Sequence, residues 1–180
     1  ISSPSNATLG TNTSHTYTIQ DNDTRGVTVT QSGGTTLVTE GGATDSYTIV
    51  LTSQPTATVT ITLSPDSQVT TSPTPSLAFT TGNWATPQTV TVTAVNDDVA
   101  EGSHAGVITH SAAGGDYAGF SIGSVTATIT DNDTVGITLT QSGGTTNATE
   151  GAATDSYTLV LTSQPSGSVS IALSPNAQVT

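Results

Sequence analysis

The stretch DNDTRGVTVTQSGGTTLVTEGGATDSYTIVLTSQPTATVTITLSPDSQVT, residues 21 to 70, returns at residues 131 to 180 with 36 of 50 positions identical, an offset of 110 residues. Solenoid units recur every ~20 to 50 residues, so this period matches a unit of about 100 residues such as an immunoglobulin-like sandwich. Inside the unit, β-branched residues alternate in VTVT (27 to 30), YTIVL (47 to 51), VTITL (59 to 63), VTVTAV (90 to 95), GVITH (106 to 110) and VTATIT (125 to 130). A period of two is that of half-buried strands, and Thr, Val and Ile fit strands best. No helical period of 3.6 occurs. The sequence therefore predicts an all-β chain of tandem immunoglobulin-like antiparallel β-sandwich repeats of about 110 residues. Seven strands are expected per repeat: A (26 to 39, interrupted at Gly33-Gly34), B (46 to 52), C (57 to 63), D (76 to 80), E (88 to 95), F (105 to 110) and G (123 to 130).

Residues 1–23 read as the C-terminal part of a preceding repeat, 24–133 as a complete repeat, and 134–180 as the N-terminal part of a following one. The natural protein is accordingly expected to be longer. Ile1 to Gln20 matches its counterpart poorly, which predicts more than one repeat subtype in the array. Ile1 to Gly10 is polar and lacks a basic start, so no signal peptide is read there.

Thirteen acidic residues face one basic residue, Arg25, for a formal net charge of -12. Such a chain repels nucleic acid and anionic lipid at long range. No apolar run of about 18 residues suggests a membrane span. Without cysteine or methionine, neither disulfides nor sulfur ligands are available, so a bound metal is expected among oxygens. Low charge density (8%) with abundant Thr, Ser and Gly points to an extracellular, cell-surface or secreted protein. A disordered stalk shares that composition, but the strand alternation favours a folded one.

Strand direction alternates in an antiparallel sandwich, which gathers the A-B, C-D and E-F connections and the end of strand G at one pole. Those segments carry Glu40, Asp66, Asn96, Asp97, Asp98, Glu101, Asp131, Asn132 and Asp133. Unit charges about 5 Å apart repel by roughly 3 kcal/mol at an effective dielectric near 20, so clustered carboxylates call for a cation. Ca2+ accepts six to eight oxygens in flexible geometry and suits loops rich in Asp, Asn and Glu. The alternative is that DND and NDD serve only as turn formers.

TEGGATDSYTIVLTSQP (39 to 55), FTTGNWATPQTVTVTAVNDDVAEGSHAG (79 to 106) and VTATITDND (125 to 133) together resemble the Calx-β domain, found in sodium–calcium exchangers, an integrin and long bacterial surface proteins. That resemblance implies calcium ligands at Glu40, at Asp97, Asp98 and Glu101, and at the closing triplet Asp131, Asn132 and Asp133. In the partial repeats it implies Asp21 and Asp23 as closing ligands and Glu150 as an opening one. This chain departs from the exchanger pattern at His104, where a further acid is expected, and at Asn132, so one or two ions are anticipated. Asn176 stands at the position of Asp66, which weakens Asp66 as a ligand.

Other signals point elsewhere less well. Gly119-Phe120-Ser121-Ile122-Gly123 fits the G-x-S-x-G pattern, but no helix is expected after it. The run from Asp21 has Arg25 and Ser32 where an EF-hand needs ligands. His15, His104 and His110 show no zinc-type spacing and read as solvated or locally hydrogen-bonded side chains. Phe79 and Trp84 are expected to bury apolar surface at the sandwich edge, with sugar stacking by Trp84 as the sharper alternative. Asn-x-Ser/Thr sequons at Asn6, Asn12, Asn22, Asn132 and Asn147 are what chance yields in so Thr-rich a chain. The expected function is structural: a calcium-stabilised repeat segment of a long extracellular surface filament or adhesin, not an enzyme. Its partners would be neighbouring repeats, other copies of itself in a fibre, and a cell-surface or matrix ligand. A calcium-sensing regulatory module and a carbohydrate-binding adhesive domain are the alternatives.

Overall fold

A computed structural model of the chain describes residues 5–12 and 14–177. Residues 1–4, 13 and 178–180, which the sequence reading assigns to flanking partial repeats, lie outside the described residues.

Nine strands between residues 27 and 130 form two packed sheets. They are β1 (Val27–Gln31), β2 (Thr36–Thr39), β3 (Asp45–Leu51), β4 (Val59–Pro65), β5 (Val69–Ser72), β6 (Ser76–Phe79), β7 (Gln88–Ala94), β8 (His104–Ala113) and β9 (Val125–Thr130). One sheet has the order β1-β3-β7-β5 and the other β2-β9-β8-β4-β6. The alternation read from the sequence is the alternation of burial: Val125, Ala127 and Ile129 point inward while Thr126, Thr128 and Thr130 are exposed. Tyr47, Ile49 and Val92 from the first sheet meet Ile61, Phe79 and Ile108 from the second, all essentially without solvent exposure. Each such side chain contributes about 1.5 to 3 kcal/mol on burial. The chain is an all-β sandwich.

Strand A is two strands. Its first half, β1, pairs antiparallel with β3, and at Ser32–Gly34 a 3₁₀ turn carries the chain across to the opposite sheet. Gly33 takes φ +61 in that turn, a conformation L side chains rarely adopt. The second half, β2, then runs parallel to β9, the one parallel pairing between two of these strands. A single continuous strand could not place Val27 and Val29 against the core from one sheet and Val38 from the other. Asp45 fixes the crossing: one carboxylate oxygen accepts the Leu37 amide at 2.9 Å and the other the Ser46 amide at 2.7 Å. Strand β5 was not anticipated. It spans four residues after Pro65 and reads in sequence as a loop, yet it completes the edge of the first sheet by pairing with β7.

Two side-chain networks tie the sheets together. Tyr117 is fully buried, and its hydroxyl donates to Ser53 O at 2.9 Å while accepting the Ser53 amide at 3.2 Å. His110 Nδ1 donates to Gly123 O at 2.8 Å, which leaves Nε2 to accept the Tyr47 hydroxyl at 2.9 Å. That arrangement needs a neutral ring, and burial holds the His110 pKa below its ordinary value. Trp84 packs against the core, and its carbonyl accepts the Leu51 amide at 3.2 Å.

Beyond β9, strands β10 (Ile137–Gln141) and β11 (Tyr157–Leu161) form a hairpin. Its register, Ile137 opposite Leu161 and Gln141 opposite Tyr157, repeats that of Val27 opposite Leu51 and Gln31 opposite Tyr47. Among the described residues no helix is long and apolar enough to cross a membrane.

Two measurements check this account. Tyr117→Phe strands the buried Ser53 amide and is expected to cost about 1 to 3 kcal/mol in denaturant unfolding. The folded state disfavours protonated His110, so its contribution is complete above the unfolded pKa of 6.5 and falls as pH drops below it. Urea midpoints of wild type and His110→Gln between pH 8 and 5 should therefore converge on acidification.

Candidate metal centre

The parallel pairing of β2 with β9 builds the site. Parallel strands end at the same pole, and Thr39 lies opposite Thr130, so Glu40 and the triplet Asp131 to Asp133 leave the sheet side by side. The Glu40 amide continues the ladder by donating to Thr130 O at 3.0 Å. Strand β8 is antiparallel to β9 and begins with His104 opposite Ile129, which delivers the 95–103 connection to the same pole. Gly41 closes the turn after Glu40 with φ +60. A Cβ there would come within 2.7 Å of the Asn96 side-chain oxygen, so the turn can approach the 95–103 connection only with glycine.

Glu40 is 2% exposed, and neither of its carboxylate oxygens has a hydrogen-bond partner. Burial pushes its carboxyl above the usual carboxylate range, and Asp131 and Asp97 add repulsion. A protonated His104 would pull the other way, and so does the Asp97 amide, which does not reach hydrogen-bond geometry. Asp133 repeats the pattern: one oxygen is buried and unpartnered, and desolvation, then Asp131, Asp98 and Asp97, raise its pKa. Glu40, Asp97 and Asp133 can each offer an oxygen within 4.8 Å of the others. Leaving an ionised carboxylate buried without a donor costs several kcal/mol, so the arrangement fits a group that supplies positive charge.

The remaining residues play supporting parts. Asp131 accepts the Asp133 amide at 2.7 Å and the Gly102 amide at 2.6 Å, which lowers its pKa and pins the 95–103 connection to the end of β9. Asn132 donates to Glu40 O at 3.2 Å and to the Asn96 side chain at 2.8 Å, bridging all three segments. Glu101 joins a second grouping with Glu40 and His104. Asp98 is exposed; its charge reaches Asp133, and its carbonyl accepts the Gln164 amide of the following unit at 2.6 Å. Asp66 is spent on structure, accepting the Gln68 amide at 3.0 Å and the Val107 amide at 2.7 Å.

Three residues fall outside the cluster. Asp21 and Asp23 are exposed and line a cleft with Arg25 and Asp116; Arg25 donates to Asp116 O there. Glu150 is exposed in the β10–β11 connection, where Thr149 and Ala153 repeat the turn made by Thr39 and Ala43. His104 was set aside by its spacing in sequence, yet its buried Nε2 lies 3.7 Å from Glu40 and 3.4 Å from Glu101. The sequence signals for it were its place three residues after Glu101, inside the acidic connection, and its departure there from the exchanger pattern noted above.

No family model and no curated protein matches the chain. Among solved structures it is similar to one described as the crystal structure of the apo-form Calx CBD1 domain, with 15% sequence identity and a TM-score of 0.42, covering 59% of this chain and 98% of that one.

Because folding confines the charged form of Glu40, a neutral isostere should stabilise the metal-free protein. Glu40→Gln is expected to melt higher than wild type in chelator, by roughly 4 to 8 °C per kcal/mol of repulsion relieved in a domain of this size. A lower melting temperature would mean that the Glu40 charge is compensated within the fold.

Proposed function

We propose that this chain is a Calx-β-type repeat segment whose polar cluster binds Ca2+, and that it serves as a calcium-stabilised structural element of a long extracellular filament or adhesin. The observation that carries the calcium reading is the buried, unpartnered Glu40 carboxylate facing Asp97 and Asp133. Hard oxygen donors from three separate segments suit a cation of flexible coordination. Glu40, Asp97 and Asp133 would hold it, with Asp98, Glu101, Asp131 and Asn132 around them. The ion would supply the positive charge that the chain, with one basic residue in 180, does not.

The structural role is supported by where the cluster lies. Asp133 is followed by Thr134, and the next unit's hairpin begins at Ile137, so the cation would sit at the joint between repeats. The role is one of binding and load-bearing, without catalysis. Neighbouring repeats and other copies of the chain are the partners this reading implies, with a surface or matrix ligand beyond them.

Calorimetric titration of the chain with Ca2+, paired with melting in calcium and in chelator, tests it. Saturable binding should raise stability by about 2.7 kcal/mol at a hundredfold excess over Kd. The gain should vanish in the double variant Asp97→Ala, Asp133→Ala. Absence of binding by the wild type would reduce DND and NDD to turn chemistry and leave no cation in the architecture.

A further inference from the structure

We propose that His104, Glu40 and Glu101 form a second cation site, selective for a borderline first-row divalent ion of the zinc class, beside the Glu40, Asp97 and Asp133 group. The proposal stands on His104 and does not depend on the calcium reading, although the two sites share Glu40.

The ring orientation is the first reason. His104 Nδ1 lies 2.9 Å from Gly102 O, and a carbonyl can only accept, so the proton of the neutral ring is on Nδ1. Nε2 then carries the free lone pair. Metal-binding histidines are oriented in this way, with the other ring nitrogen donating to a carbonyl or carboxylate. Here the tether is itself held, because the Gly102 amide donates to Asp131 at 2.6 Å.

The second reason is what the lone pair faces. Nε2 is buried, has no hydrogen-bond partner, and lies 3.7 Å from Glu40 Oε1 and 3.4 Å from Glu101 Oε2. An ionic pairing of a protonated ring would bring these atoms to about 2.7 to 2.9 Å. Two ligands each about 2.0 to 2.1 Å from a tetrahedral zinc stand about 3.3 to 3.4 Å apart, close to the spacing observed. Both Glu40 oxygens are likewise unpartnered, so one carboxylate can serve a cation on either side. Glu101 is the more exposed of the three, with 31% of its side chain accessible, and gives the ion its way in from solvent.

Donor chemistry sets the selectivity. An imidazole nitrogen suits zinc, copper, nickel or iron, whereas calcium prefers an all-oxygen shell. Of the two groupings at this pole, one is all carboxylate and the other contains the only nitrogen, so a hard and a borderline cation would be sorted by adjacent ligand sets.

The test is zinc titration of the full chain in excess Ca2+, and again without it, for wild type, His104→Asp, His104→Gln and His15→Ala, with circular dichroism confirming the fold of each. One zinc per chain is expected in wild type and in His15→Ala, with X-ray absorption showing a histidine ligand. Affinity should fall at least tenfold in both His104 variants. Unchanged zinc affinity in the His104 variants, absence of the histidine signature in wild-type protein, or displacement of zinc by calcium at comparable concentration would each overturn the site. Calcium binding without His104-dependent zinc binding removes this site alone. Zinc binding through His104 without calcium binding removes only the calcium reading.

Discussion

The parallel pairing of β2 with β9 is the constraint on which the polar cluster depends. Because Thr39 lies opposite Thr130, the residues that follow them emerge at one pole with no freedom to separate. The pairing exists only because the chain changes sheets at Ser32–Gly34. Had strand A continued beside β3, Glu40 would have left the sandwich from the other sheet. A 3₁₀ turn through Gly33 and the double acceptance of amides by Asp45 therefore decide where a buried carboxylate sits several residues later.

Much of this was legible in the sequence, and the limits have physical causes. Alternating Val and Thr set the strands because each inward position needs an apolar side chain and each outward one a polar, β-favourable one. Convergence of the acidic loops followed from strand direction. What period two cannot reveal is which sheet a strand joins, and β2 departs from the Val/Thr alternation of β1, with Thr36 buried and Leu37 exposed. Four-residue β5 offers two inward positions, Val69 and Thr71, too few for a periodic signal. His104 was judged by its spacing to other histidines, while its partners are carboxylates brought near by tertiary structure. Asp21 and Asp23 share the DND motif with the triplet at 131 to 133, and they line a cleft with Arg25 and Asp116.

The two copies of the repeated stretch show which differences the fold tolerates. Thr52 and Thr162 both close the start of their unit, with hydroxyls donating to Thr24 O and Thr134 O. Asp45 and Asp155 make the same two amide contacts. By contrast, Leu37 and Val38 are replaced by Asn147 and Ala148, at positions that in the first copy pair with β9. Backbone-clasping residues are thus retained while a strand-pairing segment drifts, as expected if turns set the register and the strand residues mainly supply bulk.

Charge placement gives the arrangement its logic. Within the sandwich the acids gather at the poles, and the outward faces of β7 and β9 present threonine hydroxyls. Repulsion is therefore concentrated at the ends of the sandwich, not spread along the sheets. At the joint before residue 27 the chain places its single arginine beside Asp116, but position 135, the equivalent of Arg25, is Val135. The segment before β1 thus carries a cation that the segment before β10 lacks. Past the second, the connection from 95 to 103 reaches forward, through Asp98 O, to the amide of Gln164. There, both carboxylate oxygens of Glu40 and one of Asp133 are buried without a hydrogen-bond partner, and no lysine or arginine side chain faces them.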